Sequence, residues 1–529
     1  MDARKKEHIN VSNLLLKDKL RVKKDFDDID ITNGVNWKYQ HNSNAKTYQV
    51  YLHSLNILKS LVITSKALED NTYLAVAEKH LNEWIEGEFS QSNSQAWHEH
   101  AVAARLQNII YYQQRAKGFN LEKEKFQKLL LDHCKFLSKK SNYQENNHGI
   151  MMDNALIFAT KSLENKDLKQ FYIEIAYYRV KMALFRDFSK MGVHLENSPE
   201  YHKMVLNLYS NVAKNLAAAK MPLGKEINGL FNRARMYTGH MLKPDNTLPI
   251  IGDSSVYEET VPKKYTDFVD HEAGVIISQY RDSINDKDSS WLYFKSGYMS
   301  KTHKHKDDLS LNLYMNSHDI LIDSGKYGYN LKDPIRKYIV SPQAHSTAYY
   351  KDSDYELSNP YSDQIKLKTN RFENRGKYKL STGINNLYKE GGITRNAILT
   401  KDKILIVFDR FVTREFNTGI QNFNFNENAK ITQLNENKFE IIIDNKLYVL
   451  ECVNIGFGVP TGKTHDGYIS YKFGKTIQNQ RIEFELKSKN FGMLTFLYEK
   501  RESFKIDSIN KTANEINFDL NSVKQSIRI

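Results

Sequence analysis

A chain of 529 residues is long for one compact domain and points to two or more, each with a core of its own. Its 76 Lys and Arg against 63 Asp and Glu leave a net charge of +13, so the surface attracts polyanions. Nucleic acid, an anionic membrane or an acidic polysaccharide would each suit that charge; no zinc-finger spacing, basic region joined to heptads or aromatic RNA-binding signature accompanies it, which leaves the polysaccharide as a serious candidate.

The chain opens on "MDARKKEHINVSNLLLKDKL", charged where a secretion signal would be apolar, and no run long enough to span a bilayer follows. The expectation is no membrane span. The compartment stays open: periplasmic or secreted if a leader was removed, cytoplasmic otherwise. From about residue 47 to 242, apolar residues recur at helical spacing in "YQVYLHSLNILKSLVITSKAL", "AWHEHAVAARLQNIIYYQQRA", "KFQKLLLDHCKFL" and "FYIEIAYYRVKMALFRDF". Long helices joined by short polar turns pack as hairpins, giving a bundle or a toroid of helix pairs.

Beyond "KPDNTLPIIGDSS" (243–255) the pattern turns to alternation, in "SSWLYFKSGY", "LSLNLYMNSHDILIDSG", "KFEIIIDNKLYVLECV" and "RIEFELKSKNFGMLTFLYEK". "NSHD" (316–319) and "DN" (444–445) read as hairpin turns. Helices followed by strands predict a multidomain α+β chain: residues 1–260 helical, residues 261–529 an antiparallel β-sandwich. The two cysteines, Cys134 and Cys452, fall in different predicted domains, so no disulfide framework is implied.

Three clusters carry residues suited to chemistry. In "KTHKHKDD" (301–308), strand alternation would put His303, His305 and Asp307 on one side. Asp323, inside the apolar "ILIDSG", needs a partner, and the return arm of a hairpin would bring it beside His305. With His345, two imidazoles and a carboxylate make a set suited to zinc rather than to magnesium or calcium. In "ENNHGIMMDNALI" (145–157), Asn147 and His148 fall in a polar turn before a helix, with Gly149 easing the turn. In "ENSPEYHKMVLNLY" (196–209), Ser198 suits a cap, Pro199 the first helical position and Glu200 the positive end of the helix. Tyr201 then lies in the first turn, where partial positive charge favours a tyrosinate and an anionic ligand.

With these clusters in this order, the chain resembles the heparinase II/III family of polysaccharide lyases. The family pattern in the second domain reads H-x-H-x-D, then D-x-G-x-Y-x-Y, an arginine and His-Asn-Thr. Here it stands as His303 to Asp307, "DSGKYGYN" (323–330), Arg336 and "HST" (345–347), the last departing from the pattern while keeping its histidine. "WHEHAVAARLQNI" and "LPIIGDSS" also look like family segments, so the likeness covers about residues 37 to 350.

The resemblance implies an incomplete (α/α) toroid followed by an antiparallel β-sandwich. It implies β-elimination on a uronic-acid polysaccharide, whether a glycosaminoglycan, alginate or an acidic exopolysaccharide. Asn147 and His148 would neutralise the uronate carboxylate, Tyr201 would act as general acid, and as base too in a syn elimination, and His303 would be the base in the anti case. His305, Asp323 and His345 would hold a structural zinc ion. Because His303 would then face substrate while His305 faces metal, the segment should bend. Arg105 and Arg336 are the candidates for holding uronate or sulfate groups. A glycoside hydrolase drawing on Glu99, Asp153 and Glu196 and a non-catalytic polyanion-binding protein are the alternatives. Oligomeric state is not legible.

Overall fold

Apolar residues three and four apart place the helices where periodicity predicts. The computed structural model describes residues 3–24, 26–42, 44–87, 95–501 and 505–529. Its helices before the main sheets are α1 (Ala3–Leu15), α2 (Ala45–His53), α3 (Asn56–Leu68), α4 (Thr72–Glu86), α5 (Glu99–Arg115), α6 (Lys123–Ser138), α7 (Asn147–Ala159), α8 (Lys166–Asp187), α9 (Pro199–Ala218) and α10 (Lys225–Met241). Among the described residues no helix is long and apolar enough to cross a membrane.

The change from helix to strand falls between Met241 and Phe268. Compactness divides the chain elsewhere. One unit is Met1–Arg186 with Asn207–Asn228, and the other is Asp187–Leu206 with Gly229–Ile529. The first turns of α9, which carry Tyr201, therefore belong with the sheets.

In the helical unit α3 packs against α1, α4 and α5, and α5 against α6 and α7. The sequence of α3 turns Ile57, Leu58, Leu61 and Val62 inward, each such side chain contributing about 1.5–3 kcal/mol when fully buried. Asn44 caps α2 by accepting from the Thr47 amide, satisfying a donor that a helix start leaves free.

The second unit holds four antiparallel sheets, three of which share one core; the fourth is the three-stranded Ile506–Lys511, Glu515–Leu520, Val523–Arg528. Five strands (Phe268–Asp270, Val275–Tyr280, Ser290–Lys295, Ser310–Met315 and His318–Leu321) pair in chain order. A four-stranded sheet runs Thr461–Lys472, Lys475–Ser488, Asn417–Asn424, Ala348–Tyr350. An eight-stranded sheet runs Lys430–Asn435, Lys438–Ile443, Lys446–Val453, Phe491–Glu499, Leu405–Thr413, Gly391–Thr400, Tyr378–Asn385, Leu367–Asn374. Phe294, Leu311, Phe411, Phe423 and Phe484, drawn from all three, share one buried cluster. Both expected hairpin turns form. Asn316 and Ser317, and Asp444 and Asn445, all have positive φ, as two-residue loops matching strand twist require.

Two polar devices inside this core hold the backbone around Leu309, Asp323 and His345. Arg395, fully buried, clamps Asp409 with two hydrogen bonds at 2.7 and 2.6 Å and donates to the carbonyls of Leu309 and Ser346 at 2.8 Å. Asn424 donates to the carbonyls of Ile322 and Ala344, and Asn422 to that of His345. Side-chain amides in the strand Asn417–Asn424 thus fix the backbone beside Asp323 and His345.

Candidate active site

Three segments of the sheet unit converge through short polar contacts. Ser198 accepts from the Tyr201 amide at 3.3 Å, and its hydroxyl reaches the Asp253 carbonyl at 3.0 Å and the Ser254 hydroxyl at 2.7 Å. Glu200 accepts from the Ser255 amide at 2.9 Å. Asn197, with φ of +60°, donates to the carbonyls of Ser300 and Thr302. Gly252 has φ of +57°, and a β-carbon there would lie 2.6 Å from the Asn197 carbonyl oxygen and 3.4 Å from that of His303. Only glycine fits so close an approach at that backbone angle.

The convergence stacks Tyr201 on His303, ring centroids 3.7 Å apart and planes 23° apart. The Tyr201 hydroxyl bonds the Tyr329 hydroxyl at 2.9 Å, and the Lys326 ammonium lies 5.4 Å from the Tyr201 ring centre. His303 Nδ1 meets Asp253 Oδ2 at 3.0 Å, which leaves Nε2 turned away, 3.8 Å from Glu196 Oε2. Burial alone would raise the Asp253 carboxyl. Hydrogen bonds from His303 and His305, with Arg336 beside it, outweigh burial and hold it well below the usual carboxylate range. An open pocket of ≈ 610 Å³ surrounds this group, with Lys301, Lys306, Tyr329 and Glu356 on its walls.

Strand alternation does not govern residues 301–308. His303 is left-handed, with φ of +57°. Asp307 points inward, fully buried, and pairs with Lys295 at 2.6 Å and with Lys304. Lys304 also meets Asp308 at 3.0 Å, and Asp308 accepts from the Tyr355 hydroxyl at 2.6 Å. Burial would raise the Asp307 carboxyl, but the two ammonium groups depress it strongly. Asp307 is therefore an anchor rather than a third member of the histidine face, and the bend expected between His303 and His305 is present.

His305 leads inward. With Asp323 and His345 it forms a buried set whose ligand-capable atoms lie within 4.8 Å of one another, a group able to hold a metal ion. Asp323 follows the return arm of the Ser310–Leu321 hairpin, as expected. His305 Nε2 meets Asp253 Oδ1 at 2.9 Å, while its Nδ1 and the Nε2 of His345 are buried without a hydrogen-bond partner. Lone pairs left over in this way, beside a carboxylate, suit a cation.

The helical unit holds the other cluster. Asn146 caps α7 by accepting from the His148 amide at 2.8 Å, so Asn147 and His148 lie in the first helical turn rather than before it. Both are part-exposed, and His148 Nδ1 meets Glu99 Oε1 at 2.9 Å. Burial raises the Glu99 carboxyl less than its hydrogen bond from His148 and neighbouring groups lower it. Gly149 is helical, and its place is explained by close approach: a β-carbon there would strike the Gln144 carbonyl and the Tyr143 ring.

The heparinase II/III N-terminal domain matches residues 2–272 and the heparinase II/III-like C-terminal domain residues 271–503. The chain belongs to the heparinase II/III family. It is a polysaccharide lyase. A heparinase III with methylated lysines superposes with a TM-score of 0.82 over 99% of this chain and 90% of that one, at 16% identity. The heparan sulfate lyase HepC of Pedobacter heparinus, as a mutant, gives 0.80 over 100% and 89%, also at 16% identity. Another heparinase III gives 0.80 over 98% and 90%, at 15% identity. At such identities the likeness establishes the helical-plus-sandwich fold. No curated protein matches the chain by sequence.

Within this lyase two expected substrate arginines are engaged in the interior. Arg105 is fully buried. It donates to His133 Nε2 and to the carbonyls of His53 and Ala96, and it stacks on Trp84 and Trp97. Arg336 grips Asp253 through both terminal nitrogens, at 2.6 and 3.1 Å, and is 6% exposed. Arg105 is thus enclosed as the partner of interior polar groups, whereas Arg336 lines the pocket around His303 with both terminal nitrogens spent on Asp253. With the family shown, the hydrolase and non-catalytic alternatives fall away; Asp153, one of the hydrolase carboxyls, is wholly enclosed, and burial pushes it up to about 8. Sequence reasoning singles out "LPIIGDSS" but not Asp253 within it; a buried-partner signal, one carboxylate beside the H-x-H pair and an arginine, exists only in three dimensions.

Proposed function

We propose that this lyase cleaves a glycosaminoglycan of the heparan sulfate type by β-elimination, leaving an unsaturated uronate at the new end. The observation that supports it best is the Tyr201–His303 stack with the imidazole held by Asp253. Because a carboxylate only accepts, His303 donates through Nδ1 and keeps its lone pair on Nε2. His303 Nε2 takes the proton from carbon 5 of the uronate. The electron pair forms the bond between carbons 4 and 5, the bond from carbon 4 to oxygen 4 breaks, and the Tyr201 hydroxyl gives its proton to that oxygen. The Tyr329 hydroxyl hydrogen-bonds the phenolate left behind, and the Lys326 ammonium, paired with Glu200 at 3.2 Å, lies 5.4 Å from the ring centre.

The carbon-5 proton is weakly acidic, so the uronate carboxylate must be neutralised as charge develops. Asn147 and His148 are the side chains we assign to that task. Lys301 and Lys306 beside His303, with the net charge of +13, favour an anionic polymer. His305, Asp323 and His345 would hold zinc, judged by two imidazoles and one carboxylate, and the ion would tie the loops that carry the site.

The test is a panel of heparan sulfate, heparin, hyaluronate, chondroitin sulfate and alginate, followed by ultraviolet absorbance and product sizing. New absorbance with heparan sulfate is expected. Chain shortening without absorbance, or no cleavage of any uronate polymer, overturns the reading.

A further inference from the structure

Asp253 bonds three side chains of the site, His303, His305 and Arg336. Its side chain is 1% exposed. Oδ2 meets His303 Nδ1 at 3.0 Å, Oδ1 meets His305 Nε2 at 2.9 Å, and Arg336 spans both oxygens at 2.6 and 3.1 Å. Every one of these neighbours donates, and an ionised carboxylate is the side chain that accepts from all of them at once.

We propose that Asp253 is a positioning residue that sets two imidazoles for two tasks, orienting His303 for proton abstraction with one oxygen and His305 toward the Asp323–His345 set with the other. The chemistry follows from which ring nitrogen carries the hydrogen. Since Nδ1 of His303 donates, the lone pair sits on Nε2, on the open side of the ring. Since Nε2 of His305 donates, the lone pair sits on Nδ1, which is buried and has no hydrogen-bond partner, on a residue of the metal-capable group. Outer partners of this kind fix ring orientation and make the ligand more basic. Arg336 prevents the carboxylate from rotating, so neither tautomer drifts independently of the other. Gly252, Ser198 and Ser254 hold the backbone on either side of Asp253, so the bridge stands on a fixed support.

Two substitutions separate the two halves. In Asp253→Asn the shorter Arg336 contact, 2.6 Å at Oδ1 against 3.1 Å at Oδ2, favours the amide oxygen at Oδ1, facing His305 and Arg336 Nη1, and the NH₂ then faces His303 and Arg336 Nη2. His303 must move its hydrogen to Nε2 and loses its lone pair on the open side. With heparan sulfate as substrate, kcat is expected to fall about 100-fold with KM within about twofold, as for loss of an outer-shell partner. Groups that act as a unit are non-additive, so the same change in a His303→Ala background should cost little further. Asp253→Ala removes both oxygens and should weaken zinc binding at least about tenfold, measured with zinc and a competing chelator in the absence of substrate.

An Asp253→Asn enzyme retaining more than about a third of wild-type kcat, full additivity with His303→Ala, or unchanged zinc affinity in Asp253→Ala each overturns the proposal. Should these variants fail to fold by gel filtration and circular dichroism, Arg336→Gln decides. It leaves the carboxylate and both histidines in place, and kcat and zinc affinity should fall together by several-fold; unchanged values in both overturn the bridge. The kinetic arm rests on the lyase reading above and the zinc arm does not. Wild-type protein that cleaves no uronate polymer while Asp253→Ala loses zinc sinks the lyase reading alone.

Discussion

Tyr201 and His303 lie face to face at 3.7 Å between ring centres, one from the first turn of α9 and the other from a left-handed position in the loop before the strand Ser310–Met315. The flat stack keeps the phenol oxygen and Nε2 at the ring edges, the first bonded to Tyr329 and the second 3.8 Å from Glu196 Oε2. Tyr201→Phe keeps the stack and deletes the oxygen. Turnover on heparan sulfate should fall by about 100-fold or more, the scale of a lost general acid, while polymer binding measured by calorimetry stays within about twofold. Activity near wild type in Tyr201→Phe rules out the assignment.

Tyr329 supplies the hydrogen bond to the Tyr201 oxygen at 2.9 Å. Tyr329→Phe removes that bond and nothing else of the ring. A neutral hydrogen bond is worth about 1 kcal/mol, so kcat should drop about fivefold, far less than in Tyr201→Phe. Initial rates of ultraviolet product formation distinguish the two.

The buried His305–Asp323–His345 set predicts that added zinc raises the melting temperature, since a ligand bound only by the folded chain stabilises it by mass action. His345→Ala should abolish the zinc-dependent shift. A shift of equal size in the variant places the zinc elsewhere.

Much of this was legible before any coordinates. The turns at Asn316–Ser317 and Asp444–Asn445 carry residues that tolerate positive φ between alternating strands, a purely local signal. Tyr201 at a helix start, and a metal-capable set joining His305, Asp323 and His345, were equally visible. Asp307 was misread because alternation describes a strand, whereas Lys295 and Lys304 bury its carboxylate and bend the chain. Arg105 was misread because arginine is seldom enclosed, and its enclosure by Trp84, Trp97 and His133 is assembled from α4, α5, α6 and the residues just before α5. Asp253 has no periodicity around it at all; its meaning arises only where three loops meet.

Arg395 and Asp409 are both fully buried, and the pair carries the carbonyls of Leu309 and Ser346. Asp409→Asn leaves the guanidinium without its counter-charge. Denaturant unfolding should show a loss of about 3–5 kcal/mol, the range for breaking a buried pair, and a loss below about 1 kcal/mol is incompatible with this role.

Acid should weaken the helical unit. Burial, with Arg105 adding to it, pushes His53 and His133 down to about 3, and burial with His148 beside it pushes His100 down to about 4, against an ordinary 6.5. Folded values below unfolded ones mean that the unfolded chain binds more protons in between, so this stability is complete above about pH 6.5 and drains away as pH falls toward 4. His133 accepts from Arg105 through Nε2 at 2.9 Å, a bond that protonation destroys. Melting temperatures recorded between about pH 7 and 4.5 should fall steadily, and the slope should be shallower in His133→Gln. A flat wild-type profile contradicts the assignment.

The absence of a side chain at Gly252 has a practical meaning for anyone redesigning this enzyme. Tyr201, His303 and the metal-capable set are not separate modules that can be retuned one loop at a time, because a single methyl group at residue 252 would strike the Asn197 carbonyl oxygen and shift the segment that enters the helix bearing Tyr201. Libraries aimed at new polymer preference should therefore leave 252 untouched and place their diversity at Lys301, Lys306 and Glu356, on the rim, where variation leaves the junction closed.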